Sequence, residues 1–286
     1  MKTQKNKING EGFCIRPVNL GNQKIDILDF FDLNKKKYPF LLESVAKGNE
    51  RARYSILFCS PEIKIVKEKN INNNFLNELD EEWKKNKIEQ GKVIIKGKEI
   101  DIPFLGGWFV YLGYELVSEI EDSLDLPESP YEIPTAFASR VKSAIIYDQL
   151  ENILYFISEG SEESIEKMYM DYETIKKKKK KKFLKKRIKF LKKGSDSQHK
   201  KDIKKCIEYI YQGEIFQANL SRLWEFELDS NLSESEIYRE LRKTNPSPFS
   251  GLLKKGKSCI ICSSPERLVS VKNGILETRP IAGTRP

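Results

Sequence analysis

An α+β fold is what this sequence predicts, on three observations. Short strand-like runs dominate the first 160 residues, only two helical patterns interrupt them, and the elements do not alternate strand–helix–strand as a parallel sheet requires. The strand-like runs are 55–59, 63–66, 93–95, 108–112, 143–147 and 153–157, rich in β-branched and aromatic residues. Pro61, Gly91, Pro103, Gly106-Gly107 and Pro134 punctuate them. The helical patterns cover residues 74–87 and 162–175. The sequence shows no internal repeat.

The third after residue 194 is the more readable. Ser195, Asp196 and Ser197 offer an N-cap to a helix with Ile203, Ile207, Ile210 and Tyr211 on one face, and Gly213 ends it. Trp224, Phe226 and Leu228 alternate with Glu225 and Glu227, which predicts a half-buried strand. Ser233 and Glu236 form an S-x-x-E capping box for a second helix, closed by Pro246. An apolar strand over 258–263 leads into a hairpin. Asn273-Gly274 between alternating runs specifies a two-residue type I′ turn, and such a turn fixes the register. Partners then sum to 272 + 275 = 547, which sets Ser270 opposite Glu277 and Glu266 opposite Ile281, beside Ala282-Gly283-Thr284. That places an acid near a glycine where backbone can approach a ligand closely.

Composition narrows the function classes. With 286 residues, 39% hydrophobic and 10% aromatic, the chain has ample core for one large domain or two ordinary ones. The formal charge of +9 is local: residues 176–193 hold twelve Lys, one Arg and no acid, leaving 9 − 13 = −4 elsewhere. Such a run reads as a solvated linker, and without aromatic or Gly-rich platforms beside it RNA binding is the lesser reading. The expected partition is a domain over 1–170, a lysine-rich linker over 171–194 and a second domain over 195–286. Five cysteines, an odd number, argue against a disulfide scaffold. The N-terminus lacks an apolar core, and the most apolar stretch, 104–117, is broken by Glu115, so a soluble, cytoplasmic protein without membrane contact is expected.

Candidate chemistry is sparse. His199 is the sole histidine and sits at a helix start, which disfavours a nucleophile–histidine pair. Cys259 and Cys262 lie three apart in a strand, hence on opposite faces, and read as core cysteines rather than a metal pair. There is no phosphate-binding glycine loop. Taken singly, Glu266 is a solvated strand-end carboxylate and Arg279 and Arg285 are surface charges. An acid, an open glycine and two arginines converging across one hairpin instead make a site for an anionic ligand the better reading.

Several segments carry a family resemblance. GEIFQANLS (213–221), NPSPF (245–249), SPERL (264–268) and ETRPIAGTRP (277–286) occur in the order and spacing of chorismate-utilising enzymes. Upstream, PFLLES (39–44), RYS (53–55) and GGWFVYLGYEL (106–116) resemble the N-terminal domain shared by component I of anthranilate synthase and of aminodeoxychorismate synthase. The resemblance implies two large antiparallel sheets packed orthogonally with helices outside, and a catalytic domain continuing beyond Pro286. It implies Glu266 as the catalytic acid/base and Gly283 and Thr284 as chorismate contacts. Ser44 with Pro248, Phe249 and Ser250 would form the tryptophan pocket, although the family pattern there is usually Pro-Tyr-Met. Mg²⁺ is the implied cofactor, on glutamates expected downstream, so these 286 residues alone are expected to be inactive. Ammonia would come from a glutamine amidotransferase partner. Segments 113–127, 48–57 and 216–224 resemble aminodeoxychorismate synthases more. Ala282, which stands where some of those enzymes carry a nucleophilic lysine, leans toward anthranilate synthase. Aminodeoxychorismate synthase is the expected activity, with anthranilate synthase the alternative.

Overall fold

The computed structural model of the chain describes residues 4–281 apart from 9–10, 47–52, 70, 72, 88–92, 96–97, 125, 179–187 and 230–231. In chain order its elements are β1 (Gln4–Ile8), β2 (Glu11–Asn19), α1 (Leu28–Leu33), β3 (Phe40–Glu43), β4 (Tyr54–Cys59), β5 (Glu62–Lys67) and α2 (Phe75–Lys85). There follow β6 (Val93–Ile95), β7 (Lys98–Ile100), β8 (Gly107–Leu112), a 3-10 turn (Tyr114–Glu119), β9 (Ala136–Val141), β10 (Ser143–Asp148), β11 (Ile153–Glu159) and α3 (Glu162–Lys177). The last are β12 (Ile188–Lys193), α4 (Asp196–Gln212), β13 (Trp224–Leu228), α5 (Glu234–Thr244), β14 (Phe249–Lys255), β15 (Ser258–Ser264), β16 (Ser270–Lys272) and β17 (Ile275–Glu277). The fold is mixed, with antiparallel sheets and few helices, as expected.

The chain forms two compact units, 1–179 with 237–286, and 180–236. These do not follow the partition expected from the sequence, because β14 and β15 join the N-terminal strands. In the first unit an antiparallel sheet runs β1-β2-β11-β10-β4-β3-β14-β15. Side chains on a strand alternate between faces, and both faces of this sheet are covered. Ile145, Leu154 and Phe156 point into one cluster, where α3 lays the helical stripe Ile165, Met168, Tyr172 and Ile175. Ile146, Tyr155 and Ile157 point the other way, against Val93 and Ile95 of β6. Burial on both faces explains why β10 and β11 read as near-continuous apolar runs. Each such side chain contributes about 1.5–3 kcal/mol. A second sheet, β5-β9-β8, packs through phenylalanines: Phe40 of the large sheet stacks on Phe109 at 4.2 Å, and Phe58 meets Phe109 edge-on at 5.2 Å.

Helix ends follow their caps. Asn74 accepts from the Asn77 amide at 3.0 Å, while both oxygens of Glu119 accept from the Phe75 and Leu76 amides at 3.0 Å, so three free N–H groups of α2 find carboxylate or amide oxygens. Ser161 caps α3 through the Ser164 amide at 3.1 Å. One glycine is required by close approach. Gly106 has φ +139°, and a Cβ there would fall inside the Glu159 carboxylate, which Arg140 grips with two bonds of 2.8 Å. Gly106→Ala is therefore expected to cost about 2 kcal/mol through strain and displacement of that partly buried pair. A melting temperature unchanged by the substitution would contradict this.

In the second unit β12 pairs with β13, with Phe190 opposite Phe226. Two sequence expectations are corrected here and at its border. Residues 176–193 are not simply a linker: Lys176 and Lys177 end α3, and Ile188–Lys193 is a strand. All five residues of β13 are exposed rather than half-buried. Helix α4 does begin at the Ser195 cap and end at Gly213 with φ +77°, yet Ile203, Ile207, Ile210 and Tyr211 are exposed. The alternation and the helical stripe were read correctly as periodicities, but the apolar side of each element is exposed. No helix among them is long and apolar enough to cross a membrane.

Candidate active site

The hairpin adopts the register that its turn dictates. Asn273 and Gly274 both take positive φ, 53° and 76°, and β16 pairs with β17 as Ser270 with Glu277, Val271 with Leu276 and Lys272 with Ile275. The backbone ladder stops there, and side chains continue the closure. Arg267 donates to the Glu277 carboxylate at 3.1 Å, the Thr278 hydroxyl to the Leu268 carbonyl at 3.1 Å, and the Ile281 amide to Glu266 Oε1 at 3.3 Å. Glu266 thus meets Ile281, its expected partner, through its carboxylate. Its backbone is pinned as well: the Glu266 amide donates to the Ser264 hydroxyl at 3.3 Å, which donates to the Glu266 carbonyl at 3.0 Å. The carboxylate is exposed, with one oxygen on an amide and open access on the remainder. Such a group can give or take a proton from a bound molecule. Arg279 is exposed on the same return strand segment, whereas Ala282, Gly283, Thr284 and Arg285 lie outside the described residues.

Ser44, Pro248, Phe249 and Ser250 do come together. The Ser44 hydroxyl donates to the Pro248 carbonyl at 2.7 Å and the Val45 amide to the Ser247 carbonyl at 2.9 Å. Ser250, 2% exposed, pairs with Glu43 across β14 and β3 and donates to the Ser247 carbonyl at 3.2 Å. Gln149 secures the corner by donating to the Ser44 carbonyl at 2.7 Å. This corner reaches the hairpin through one rung: Phe249 pairs with Ser264, the residue that pins Glu266.

Sequence reasoning missed the groups that hold Glu43. Arg242 donates to both its oxygens at 3.0 and 3.1 Å and the Tyr238 hydroxyl to one at 3.0 Å. Burial pushes the Glu43 carboxyl above its ordinary value despite Arg242. The available signal was the i, i+4 spacing of Tyr238 and Arg242 on α5, which puts both on one helix face. One further expectation is corrected: Cys262 is exposed and Cys259 only half-buried, so the pair are not core cysteines. They occupy β15, the last strand of the large sheet, where one edge has no neighbouring strand among the described residues.

Residues 37–286 match the family described as chorismate binding enzyme, and the chain belongs to that family. It is 32% identical over 308 residues to anthranilate synthase component 1 of Acetivibrio thermocellus, across 98% of this chain and 62% of that protein. To the protein of the same name in Bacillus pumilus it is 31% identical over 292 residues, across 88% of this chain and 54% of that one. The solved structure of anthranilate synthase component I from Streptococcus pneumoniae TIGR4 matches with a TM-score of 0.62 and 25% identity, covering 91% of this chain and 59% of that chain. The chain therefore spans between 54% and 62% of the length of these three.

Proposed function

We propose that this chain carries the acid/base part of an enzyme that aminates chorismate, and that the product is anthranilate. The observation that carries the reading is Glu266, fixed on the Ile281 amide at the mouth of the segment whose Gly283 and Thr284 would contact the substrate. Ammonia adds to the ring as the ring hydroxyl departs; Glu266 supplies the proton that leaves with it as water. Loss of pyruvate and a ring proton then restores aromaticity. Arg279 and Arg285 would receive the substrate carboxylates. Ammonia would be delivered by a glutamine amidotransferase partner.

Mg²⁺ is proposed as the cofactor, a Lewis acid that compensates the substrate's negative charge when bound. Among the described residues no group of three or more His, Cys, Asp or Glu side chains is placed to hold a metal ion, so no step here is assigned to it.

Ala282 and the names of the relatives support anthranilate over 4-amino-4-deoxychorismate. A second reading, retention of pyruvate to give 4-amino-4-deoxychorismate, is favoured by the segments at 48–57, 113–127 and 216–224. Product analysis with chorismate, ammonium and Mg²⁺ separates them. Fluorescent anthranilate is expected. A product that a lyase converts to 4-aminobenzoate would establish the second reading, and consumption of no chorismate by the complete protein would refute both.

The Ser44–Pro248 corner is proposed to take tryptophan. Ser44→Ala, which removes the hydroxyl spanning β3 and the Pro248 turn, is expected to weaken tryptophan binding by about tenfold, measured by calorimetry. Unaltered affinity would remove Ser44 from that role.

A further inference from the structure

Three side-chain torsions separate the Glu266 carboxylate from its backbone, and the Ile281 amide meets it at 3.3 Å. So long a contact does not by itself fix a carboxylate to the fraction of an ångström that directed proton transfer requires. The aim of the acid therefore depends on how the Glu266 backbone is held.

Two ties hold it. After Glu266, Arg267 donates to Glu277 at 3.1 Å, an exposed pair worth at most about 1 kcal/mol. Before Glu266 stands Ser264, the last residue of β15. Its hydroxyl accepts from the Glu266 amide at 3.3 Å and donates to the Glu266 carbonyl at 3.0 Å, so a single oxygen meets both backbone polar groups of that residue. Pro265 lies between the two with a fixed φ and no N–H of its own. The hydroxyl closes this short loop.

Ser264 is itself well braced. It pairs with Phe249 at the end of the β14–β15 ladder, and β14 pairs on its other side with β3. The neighbouring Ser263 ties the same strand end to the turn before β14. Its hydroxyl donates to the Asn245 carbonyl, and the Ser247 hydroxyl donates to the Ser263 carbonyl at 3.4 Å. Sheet and turn hold the strand end, and the Ser264 hydroxyl passes that rigidity to Glu266.

We propose that Ser264 is a positioning residue for the amination step. It acts through Glu266, setting the direction from which the carboxylate meets the departing hydroxyl. The proposal rests on the reading of Glu266 as the acid. A residue of this kind contributes to the transition state and little to substrate binding, so its loss falls on turnover.

The test is steady-state kinetics of the complete protein with chorismate, ammonium and Mg²⁺. Ser264→Ala is expected to lower kcat about tenfold, with KM and melting temperature near those of the parent. Ser264→Thr keeps the hydroxyl on a β-branched side chain suited to a strand, and should recover kcat to within about threefold. The double variant Ser264→Ala/Glu266→Gln should be no slower than Glu266→Gln alone, because nothing is left to position. Hydrogen–deuterium exchange reads the geometry without the chemistry. The Glu266 and Ile281 amides should exchange faster in Ser264→Ala and at the parent rate in Ser264→Thr. Parent turnover in Ser264→Ala, a change in KM instead of kcat, a Thr variant as slow as the Ala variant, a further loss in the double variant, or unaltered exchange would each overturn the proposal. Parent turnover in Glu266→Gln would overturn the acid reading and the proposal with it, a result that the Ser264 variants alone cannot produce.

Discussion

Glu266→Gln is expected to lower chorismate turnover by about 100-fold or more in the complete protein, with the melting temperature unmoved. The substitution isolates the proton. A glutamine carbonyl still accepts from the Ile281 amide, now at 3.3 Å to Glu266 Oε1, so the hairpin keeps its closure. It cannot protonate a departing hydroxyl. The side chain is exposed and has no buried partner to strand, so stability offers no confounding loss. The fall should appear in kcat with little change in KM, because the interaction lost is made in the transition state. Glu277→Gln is the matched control. It breaks the exposed Arg267–Glu277 pair one strand away, worth at most about 1 kcal/mol, and should leave turnover near that of the parent. Turnover retained in Glu266→Gln, or lost equally in both variants, would remove Glu266 from the chemistry.

That experiment rests on a part of the molecule that the sequence specified locally. Two residues, Asn273 and Gly274, set the hairpin register, and the structure follows it through Ser270 and Glu277. Glu266 and Ile281 then meet by side chain where the backbone ladder has ended. Caps were equally readable: Ser233 and Glu236 close a reciprocal box, with the Ser233 amide on the Glu236 carboxylate at 2.8 Å. Exposure was not readable. Periodicity reports which side of an element is apolar, whereas burial depends on what the rest of the chain brings to it. Trp224, Phe226 and Leu228 alternate faultlessly and remain exposed. Long-range pairing was hidden for the same reason. Nothing near Phe249 announces that β14 will sit beside β3, some 200 residues earlier, yet that rung draws Ser250 against Glu43 and Ser44 against Pro248.

The largest effect on stability is expected at Arg239, a residue with no place in the proposed chemistry. It is 6% exposed and spends its whole fork on α1 and the turn before it: Nε to Asp26 at 2.8 Å, Nη1 to Asp32 at 2.8 Å and Nη2 to Asp29 at 2.9 Å. Arg242 adds a bond to Asp26 at 2.7 Å and joins it to Glu43. A helix from the far end of the sequence is thereby riveted to residues 26–43, and the Ser44 corner hangs from the same strand. Arg239→Ala leaves three carboxylates facing one another, one of them largely buried, and should cost about 3 kcal/mol. Asp29 and Asp32 are more than a third exposed, so most of that loss comes from Asp26. A drop in melting temperature of about 6–12 °C follows for a unit of this size. Arg239→Lys keeps the charge but not the fork and should fall between.

The pH dependence identifies the cause. Burial alone would raise Asp26, but Arg242 and Arg239 outweigh it and hold the carboxyl below its ordinary value of 3.8. A depressed folded-state value contributes stability that is complete above 3.8 and is lost as pH falls through the folded value. Glu43 acts in the opposite sense, since burial raises it; its contribution is complete below 4.5 and declines as pH rises through its folded value. Arg239 bonds Asp26, Asp29 and Asp32, of which Asp26 is the least exposed, so the difference between parent and Arg239→Ala reports chiefly on Asp26. That difference should be widest at neutral pH and shrink steadily below about pH 4. A gap that stays constant from neutral to acidic pH would mean that Arg239 acts by packing rather than by charge, and the ion-pair account of this junction would fail.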